Sequence, residues 1–195
     1  MFCNISGPRR YASPDNSDFV HLATVVNFIG CRLQLRLDGC DNSNDIFELV
    51  DSSAIHPIGS RVARNKYFAA PLRFRKDAAS YSSFCNHILK DSLAAPKSAF
   101  KSPPKPPIRN MFKKGMSLEA VDSKHPSNIC PATIAGIDSN HVEIHLIGWD
   151  SNNDFKCSYL SRDLFPVGWC KKTGHPLQHP GPKGKCISIR MRFVP

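Results

Sequence analysis

The chain has 195 residues, room for one domain or two small ones. Its 26 Lys and Arg against 16 Asp and Glu leave a net charge of +10, which favours polyanionic partners (chromatin, RNA or an anionic membrane surface) without choosing among them. No apolar run reaches membrane-spanning length, and Met1 to Arg10 holds two arginines and no apolar core, so neither a membrane span nor a secretory signal is expected.

Residues 1–17 are polar, with Gly7, Pro8 and Pro14, and read as a tail. From Leu22 the pattern changes to Leu-Ala-Thr-Val-Val-Asn-Phe-Ile and then Arg-Leu-Gln-Leu-Arg-Leu-Asp-Gly, two predicted strands separated by a turn at Gly30. Asp77 to Leu89 places Ala78, Tyr81, Phe84, Cys85, Ile88 and Leu89 at helical spacing, with Asp77 available as a cap. Pro96 to Pro107 is rich in Pro and Lys and predicts an extended linker. Beyond it, Val142, Ile144 and Leu146 alternate with polar residues, the period of a half-buried strand. Gly148 and the run Asp150 to Asp154 then form a polar turn carrying Trp149. An exposed Trp beside a turn, with a carboxylate at Asp122, suggests a small recognition pocket; the alternative is that Trp149 is core. In the tail after Pro182, alternation at Ile187, Ile189, Met191 and Phe193 is compatible with a strand.

The two halves are copies of one another. A shift of 109 residues, without gaps, superposes Ala23-Thr24 on Ala132-Thr133, Leu37 on Leu146, Gly39 on Gly148 and Asp41 on Asp150. The same shift pairs Asn44-Asp45 with Asn153-Asp154, and Ser52, Pro57 and Gly59 with Ser161, Pro166 and Gly168. Turn residues and apolar positions are kept together, as two copies of one small β unit require. The eight cysteines (3, 31, 40, 85, 130, 157, 170, 186) are scattered without close pairs and read as buried free thiols.

Gly-Met-x-Leu-Glu-Ala-Val-Asp (115–122), Ile-Cys-x-Ala-Thr (129–133), Gly-Trp-Asp (148–150) and Asp-Leu-Phe-Pro-Val-Gly-Trp-Cys (163–170), in this order and spacing, resemble the MBT (malignant brain tumour) repeat. The likeness is to Polycomb-group proteins of the Sex comb on midleg type and covers roughly residues 18 to 180. It implies a mainly β fold of two tandem Tudor-like small barrels, with a helical arm and the Pro/Lys-rich linker between them. The boundaries read as a polar tail 1–17, a first repeat 18–72 that is incomplete or divergent at its N-terminus, a second repeat 73–180 including arm and linker, and a basic tail 181–195. It also implies a non-enzymatic, nuclear, chromatin-associated reader of mono- and dimethylated lysine on histone tails, with Polycomb-group partners and no cofactor.

Carried over residue by residue, the family's pocket carboxylate falls on Asp122 and its tryptophan on Trp149. The aromatic three residues before that Trp falls on Leu146, and the one four residues after it on Asn153. Two of the four cage positions therefore match and two depart; Phe155 is near enough in sequence to swing in. In the first repeat the equivalents are Leu37, Cys40 and Asn44, with the carboxylate position mapping loosely to Ser13, so that pocket reads as structural.

Two other readings compete. Arg9, Arg10, Lys97, Lys101, Lys105, Arg109, Lys113, Lys114, Lys183, Lys185, Arg190 and Arg192 lie mostly outside the repeats, and mobile basic segments of this kind bind DNA or RNA phosphates without sequence preference. The alternative is a solvated surface, and a purely structural interaction module with a non-functional cage is the limiting case. Cys170, His175, His179 and Cys186 have spacings a metal can use, but the resemblance implies none there. No nucleophile motif or phosphate loop points to an enzyme.

Overall fold

The computed structural model describes residues 2–6, 19–58, 67–90, 93 and 95–181, and the chain divides into two compact units, 1–105 and 106–195. In the first unit β1 (Phe2–Ser6), β2 (Phe19–Ile29), β3 (Arg32–Leu37), β4 (Ile46–Leu49) and β5 (Ile55–His56) form an antiparallel sheet in the order β4-β3-β2-β1-β5. A short β6 (Tyr67–Phe68) adds to β2 in parallel. The second unit repeats this as β7 (Ser117–Val121), β8 (Ile129–Ile137), β9 (His141–Leu146), β10 (Phe155–Ser158) and β11 (Leu164–Phe165), in the order β10-β9-β8-β7-β11. Each sheet curls as a half-barrel; among the described residues no ladder joins the two edge strands.

The alternation seen in the sequence is what bends each sheet around its core. Val142, Ile144 and Leu146 of β9 are buried beside Leu118, Ala120, Cys130, Ala132 and Ile134, while His141 is exposed and Glu143 and His145 are half-buried between them. Leu33, Leu35 and Leu37 of β3 fill the same places in the first core, with Cys3, Ala23, Ile46 and Ile55.

The duplication extends to individual hydrogen bonds. Asp38 N donates to Leu22 O as Ile147 N does to Pro131 O, and Cys40 N to Leu37 O as Trp149 N does to Leu146 O. Both long strands carry a bulge at the same place, between Val25 and Asn27 and between Ile134 and Gly136. Gly39 and Gly148 sit at φ 86° and 81°, a backbone region that favours glycine. Asp45 and Asp154 are not merely turn residues: each anchors the turn to the preceding strand, Asp45 through Arg36 at 2.9 Å and Asp154 through His145 at 2.7 Å.

Three features differ from the sequence expectation. Phe2–Ser6 is a strand, not part of a polar tail. It is paired to β2 with Cys3 opposite Ala23, just as Leu118 is opposite Ala132. The connection that follows β1 is longer than the one after β7, which moves the match out of an ungapped shift. The predicted helix forms as α1 (Tyr81–Lys90), preceded by a short 3-10 turn capped by Asp77, but it belongs to the first unit rather than to a second repeat starting at residue 73. Tyr81 and Cys85 are buried against Leu22, the Leu22 N–H donates to the Tyr81 hydroxyl at 3.1 Å, and Phe74 packs edge-on to Tyr81 and Phe84. Gly181 is buried and hydrogen-bonded to the second sheet rather than starting a tail. Gly59 and the 187–193 alternation lie outside the described residues. The cysteines described are free thiols, but not all are buried as expected: Cys31 at the β2–β3 turn is exposed and Cys40 and Cys157 are half-buried. Burial pushes Cys3 up to about 12 and Cys130 and Cys157 up to about 11.

The second repeat is closed by α2 (Trp169–Thr173), whose start is held by a buried carboxylate on β7. Glu119, 3% exposed, accepts from Gly168 N and Cys170 N at 2.7 Å each. Glu119→Gln keeps one acceptor but turns an amide N–H2 toward a backbone donor, so it should lower the stability of this unit by about 1–3 kcal/mol. Both tryptophans lie in the second unit, so the midpoint of denaturant unfolding followed by their emission reads it out; an unchanged midpoint would contradict the assignment.

In the first repeat Asp38 stands where the second has Ile147. It accepts from the Thr24 hydroxyl at 2.8 Å, but its other oxygen is buried without a hydrogen-bond partner among the described residues. Burial, partly offset by the Thr24 bond, raises its pKa above the ordinary carboxylate value. A raised pKa means the folded state holds the proton more tightly, so stability falls as pH rises from the unfolded value through the folded one. Asp38→Asn should therefore gain on the wild type between about pH 4 and neutrality. Paired denaturant melts followed by circular dichroism across that range test it; a pH-independent difference would refute it.

Candidate functional site

Asp122 follows β7 directly and begins the 122–128 loop. Its N–H donates to Asn128 O at 3.0 Å; Oδ1 accepts from Lys124 N at 2.8 Å and Oδ2 meets His125 Nδ1 at 3.0 Å. The side chain is 14% exposed. Burial pushes this carboxyl up, but the backbone N–H of Lys124 and the His125 ring and N–H outweigh it, and the pKa lies below the usual value. Asp122 is thus an ionised carboxylate whose loop supplies its first partners. A carboxylate has about four acceptor sites, and these three donors leave room for one more.

Trp149 follows Gly148 on the β9–β10 turn and is 42% exposed, which removes the reading of it as core. Asp150 follows it as the N-cap of a three-residue 3-10 turn, Ser151–Asn153, that ends on Asp154. Lys124, which sequence reasoning passed over, ties this turn to the Asp122 loop. Its Nζ donates to Asn153 Oδ1 at 2.8 Å and to Asn152 O at 3.2 Å. At the position where the resemblance implies a ring, the chain thus offers an amide oxygen that its own ammonium uses. The signal available in the sequence was a Lys two residues after the pocket carboxylate, together with the Asn at 153.

The remaining predicted positions are core. Leu146 is 2% exposed within the second core cluster, and Phe155, opposite Ile144 on β10, is half-buried against the same cluster. The structure therefore brings the Asp122 loop and the Trp149 turn together, and leaves Leu146 and Phe155 as packing.

The first repeat offers less. Leu37 is buried in its core, Cys40 is half-buried with its thiol raised by burial and by Asp41, and Asn44 sits in the matching 3-10 turn. Ser13 lies outside the described residues. The register corrects its mapping: Ser6 pairs with Val20 as Val121 pairs with Ile129, so the residue in the sequence place of Asp122 is Gly7. That position carries no carboxylate.

Of the basic residues, Lys101, Lys105, Arg109, Lys113 and Lys114 are exposed along a stretch without regular structure. This stretch begins after Phe100, packed on the first core, and passes Phe112, packed on the second, to end at Lys114. Lys183, Lys185, Arg190 and Arg192 lie outside the described residues, as do Arg9, Arg10 and Cys186. Cys170 is the buried residue of α2, His175 is buried with Nδ1 2.8 Å from Pro176 O, and His179 is exposed. Among the described residues no three His, Cys, Asp or Glu are grouped to hold a metal ion.

Comparison with known proteins matches two stretches of the chain, residues 11–75 and 116–183, to the mbt repeat model. The chain is 46% identical over 170 residues to the Polycomb protein SCMH1 of Mus musculus, covering 87% of this chain and 24% of that protein. The Homo sapiens protein of the same name matches at the same identity, with 26% of it covered. Lethal(3)malignant brain tumor-like protein 1 of Gallus gallus is 31% identical over 173 residues, 86% of this chain and 20% of that one. The chain thus spans about a quarter or less of the curated relatives it matches. Among solved structures, the four MBT repeats of Drosophila melanogaster Sfmbt, in complex with the peptide RHR(me)KVLR, align at 25% identity over 93% of this chain and 40% of that one, with a TM-score of 0.39.

Proposed function

The chain belongs to the mbt repeat family, and from that premise we propose that it is a nuclear, chromatin-associated adaptor of the Polycomb type whose second repeat holds a reduced site for mono- and dimethyl-lysine on histone tails. The repeats are binding modules without catalysis. The observation that carries the reading is the ionised Asp122 on a loop that Lys124 ties to the turn bearing the exposed Trp149. The Polycomb setting is supported by the likeness to SCMH1.

The chemistry follows from these two groups. A methylammonium keeps its charge while its surface becomes apolar, and an indole face attracts it by about 0.5–2 kcal/mol. Mono- and dimethyl-lysine keep an N–H that Asp122 can accept, whereas trimethyl-lysine leaves the carboxylate desolvated and unpaired. The second wall position, Leu146, is committed to the core, and Asn153 is committed to Lys124. Two missing rings weaken the complex by roughly 1–4 kcal/mol relative to a full cage. Asn153→Tyr adds a ring at the rim and frees Lys124, and should bind mono- and dimethylated histone peptides more tightly than the wild type by about 0.5–2 kcal/mol. Adding Asp122→Ala should abolish the preference over trimethyl-lysine. Calorimetric titration with the three peptides measures both; wild-type binding that survives Trp149→Ala would place the site elsewhere.

A second activity is favoured by the exposed basic residues of the stretch from Lys101 to Lys114. Extended chain with spaced cations follows a phosphate backbone without reading bases. Replacing Lys101, Lys105, Arg109, Lys113 and Lys114 by Gln should weaken DNA or RNA association and flatten its salt dependence, by roughly 0.7–0.9 in logarithmic slope for each phosphate no longer neutralised. Fluorescence anisotropy across a salt series reads this directly; an unchanged slope would assign the binding to other surfaces.

A further inference from the structure

We propose that the segment His175 to Gly181 is a strap that positions the two loops of the second-repeat site, and that Gly181 sets the pose of Trp149 by covering one side of its indole. The inference rests on the reading of Trp149 as the aromatic of that site.

The strap is fastened at two points, one beside each loop. Gln178 N donates to Ile129 O at 2.8 Å, the residue immediately after the 122–128 loop that carries Asp122, Lys124 and His125. Gly181 N donates to Ile147 O at 3.1 Å, two residues before Trp149. Between them the chain passes the mouth of the β8–β9 pair, and Gly181 itself is buried.

Glycine at 181 is required by approach and not by backbone conformation, since it is not among the residues of positive φ. A Cβ there would press on the carbonyl of Gly148 and stand 2.8 Å from both Gly148 C and Trp149 Cδ2. Two of those three atoms are backbone at a turn whose own φ is constrained, so the yielding partner is the indole. A side chain at 181 therefore has to lift the strap or push Trp149, and either changes which part of the ring is free. With Gly181 against one side, the open side is where a cation can stack.

The first repeat shows that the strap belongs to the unit. Ala69 N donates to Val20 O at 3.1 Å, at the positions that the 109-residue shift relates to Gln178 and Ile129. There the continuing chain also closes on the glycine turn, but with a side chain: the Phe74 ring lies over Gly39, and Arg75 N donates to Gly39 O at 3.3 Å. The residue after that glycine is Cys40. In the second repeat bare backbone meets the turn, and the following residue is the large Trp149. The same crossing is thus filled by a ring from the strap in one copy and by a ring from the turn in the other.

The test uses the full chain with 15N-labelled tryptophan, whose two indole resonances are assigned with Trp169→Phe. Gly181→Ala should shift the Trp149 indole resonance and change its quenching by acrylamide while leaving Trp169 in place. Gln178→Pro, which removes the other fastening without adding a Cβ at 181, should move Trp149 in the same way. His179→Ala, an exposed strap residue, should move neither. If Trp149 is unmoved in both variants, or if both indoles move together, the positioning role is overturned regardless of ligand. Binding of the monomethylated peptide is then measured for Gly181→Ala in the Asn153→Tyr background. A shifted Trp149 with a fall in affinity supports the full proposal. A shifted Trp149 with unchanged affinity leaves the strap's positioning role standing and refutes Trp149 as the ligand's ring.

Discussion

The buried carboxylate of Glu119 holds the second repeat in order. It lies on β7, the strand that also leads into the Asp122 loop, and its two oxygens take the backbone N–H groups of Gly168 and Cys170 at the other end of the repeat. Charge-assisted bonds of this length in a buried place are among the stronger ones a fold can make, and losing a partner leaves a desolvated polar group. The consequences run outward. With the start of α2 fixed, Trp169 stacks on Phe165 at 4.0 Å, Cys170 seals the core, and Gly174 at φ 78° turns the chain into the strap. The strap then reaches Ile129 and Ile147, the residues flanking the two site loops. On the role proposed for the strap, the Glu119 carboxylate therefore helps set where Asp122 and Trp149 stand.

Much of this frame was legible because it depends on local chemistry. Gly39 and Gly148 need the same backbone region, and Asp45 and Asp154 each close the turn onto a cationic or imidazole partner at the matching position of the strand, Arg36 or His145. Such requirements survive divergence and show as a constant spacing. The first strand was hidden for two physical reasons. Phe-Cys-Asn-Ile-Ser carries Asn4 where the second repeat has Glu119, and the longer connection after it breaks the spacing. The helix was legible as amphipathic, but periodicity records that a face is apolar and not which core receives it; Leu22 and Phe74 of the first unit do. Lys124 could not be read because its partner, Asn153, is brought near by the fold alone. Leu146 reads as a wall in sequence, though it packs in the core, since a cage position and a core position share one strand period.

The two repeats have therefore kept one scaffold while their turns have diverged. In the first, Leu37 is core, Cys40 replaces the tryptophan, the strap's Phe74 fills the crossing and Gly7 takes the carboxylate's place in sequence. In the second, Asp122 is kept below its ordinary pKa by its own loop and Trp149 is kept exposed. In the proposed site the cage is reduced to its polar and its largest aromatic member, with the Lys124 ammonium on the rim. Such a site would give preference among methylation states more readily than affinity, and the binding proposed for the basic linker would add to it.

The central claim is that the Asp122–Trp149 pair is where a methylated lysine is met. The most direct measurement is a titration of the unaltered chain with unmodified, mono-, di- and trimethylated lysine peptides, followed by the indole resonances of its two tryptophans. The account predicts a saturable shift of Trp149 with the mono- and dimethyl peptides, a smaller one with trimethyl and unmodified lysine, and none at Trp169. Equal shifts with all four peptides, or a response at Trp169 with Trp149 silent, would contradict it.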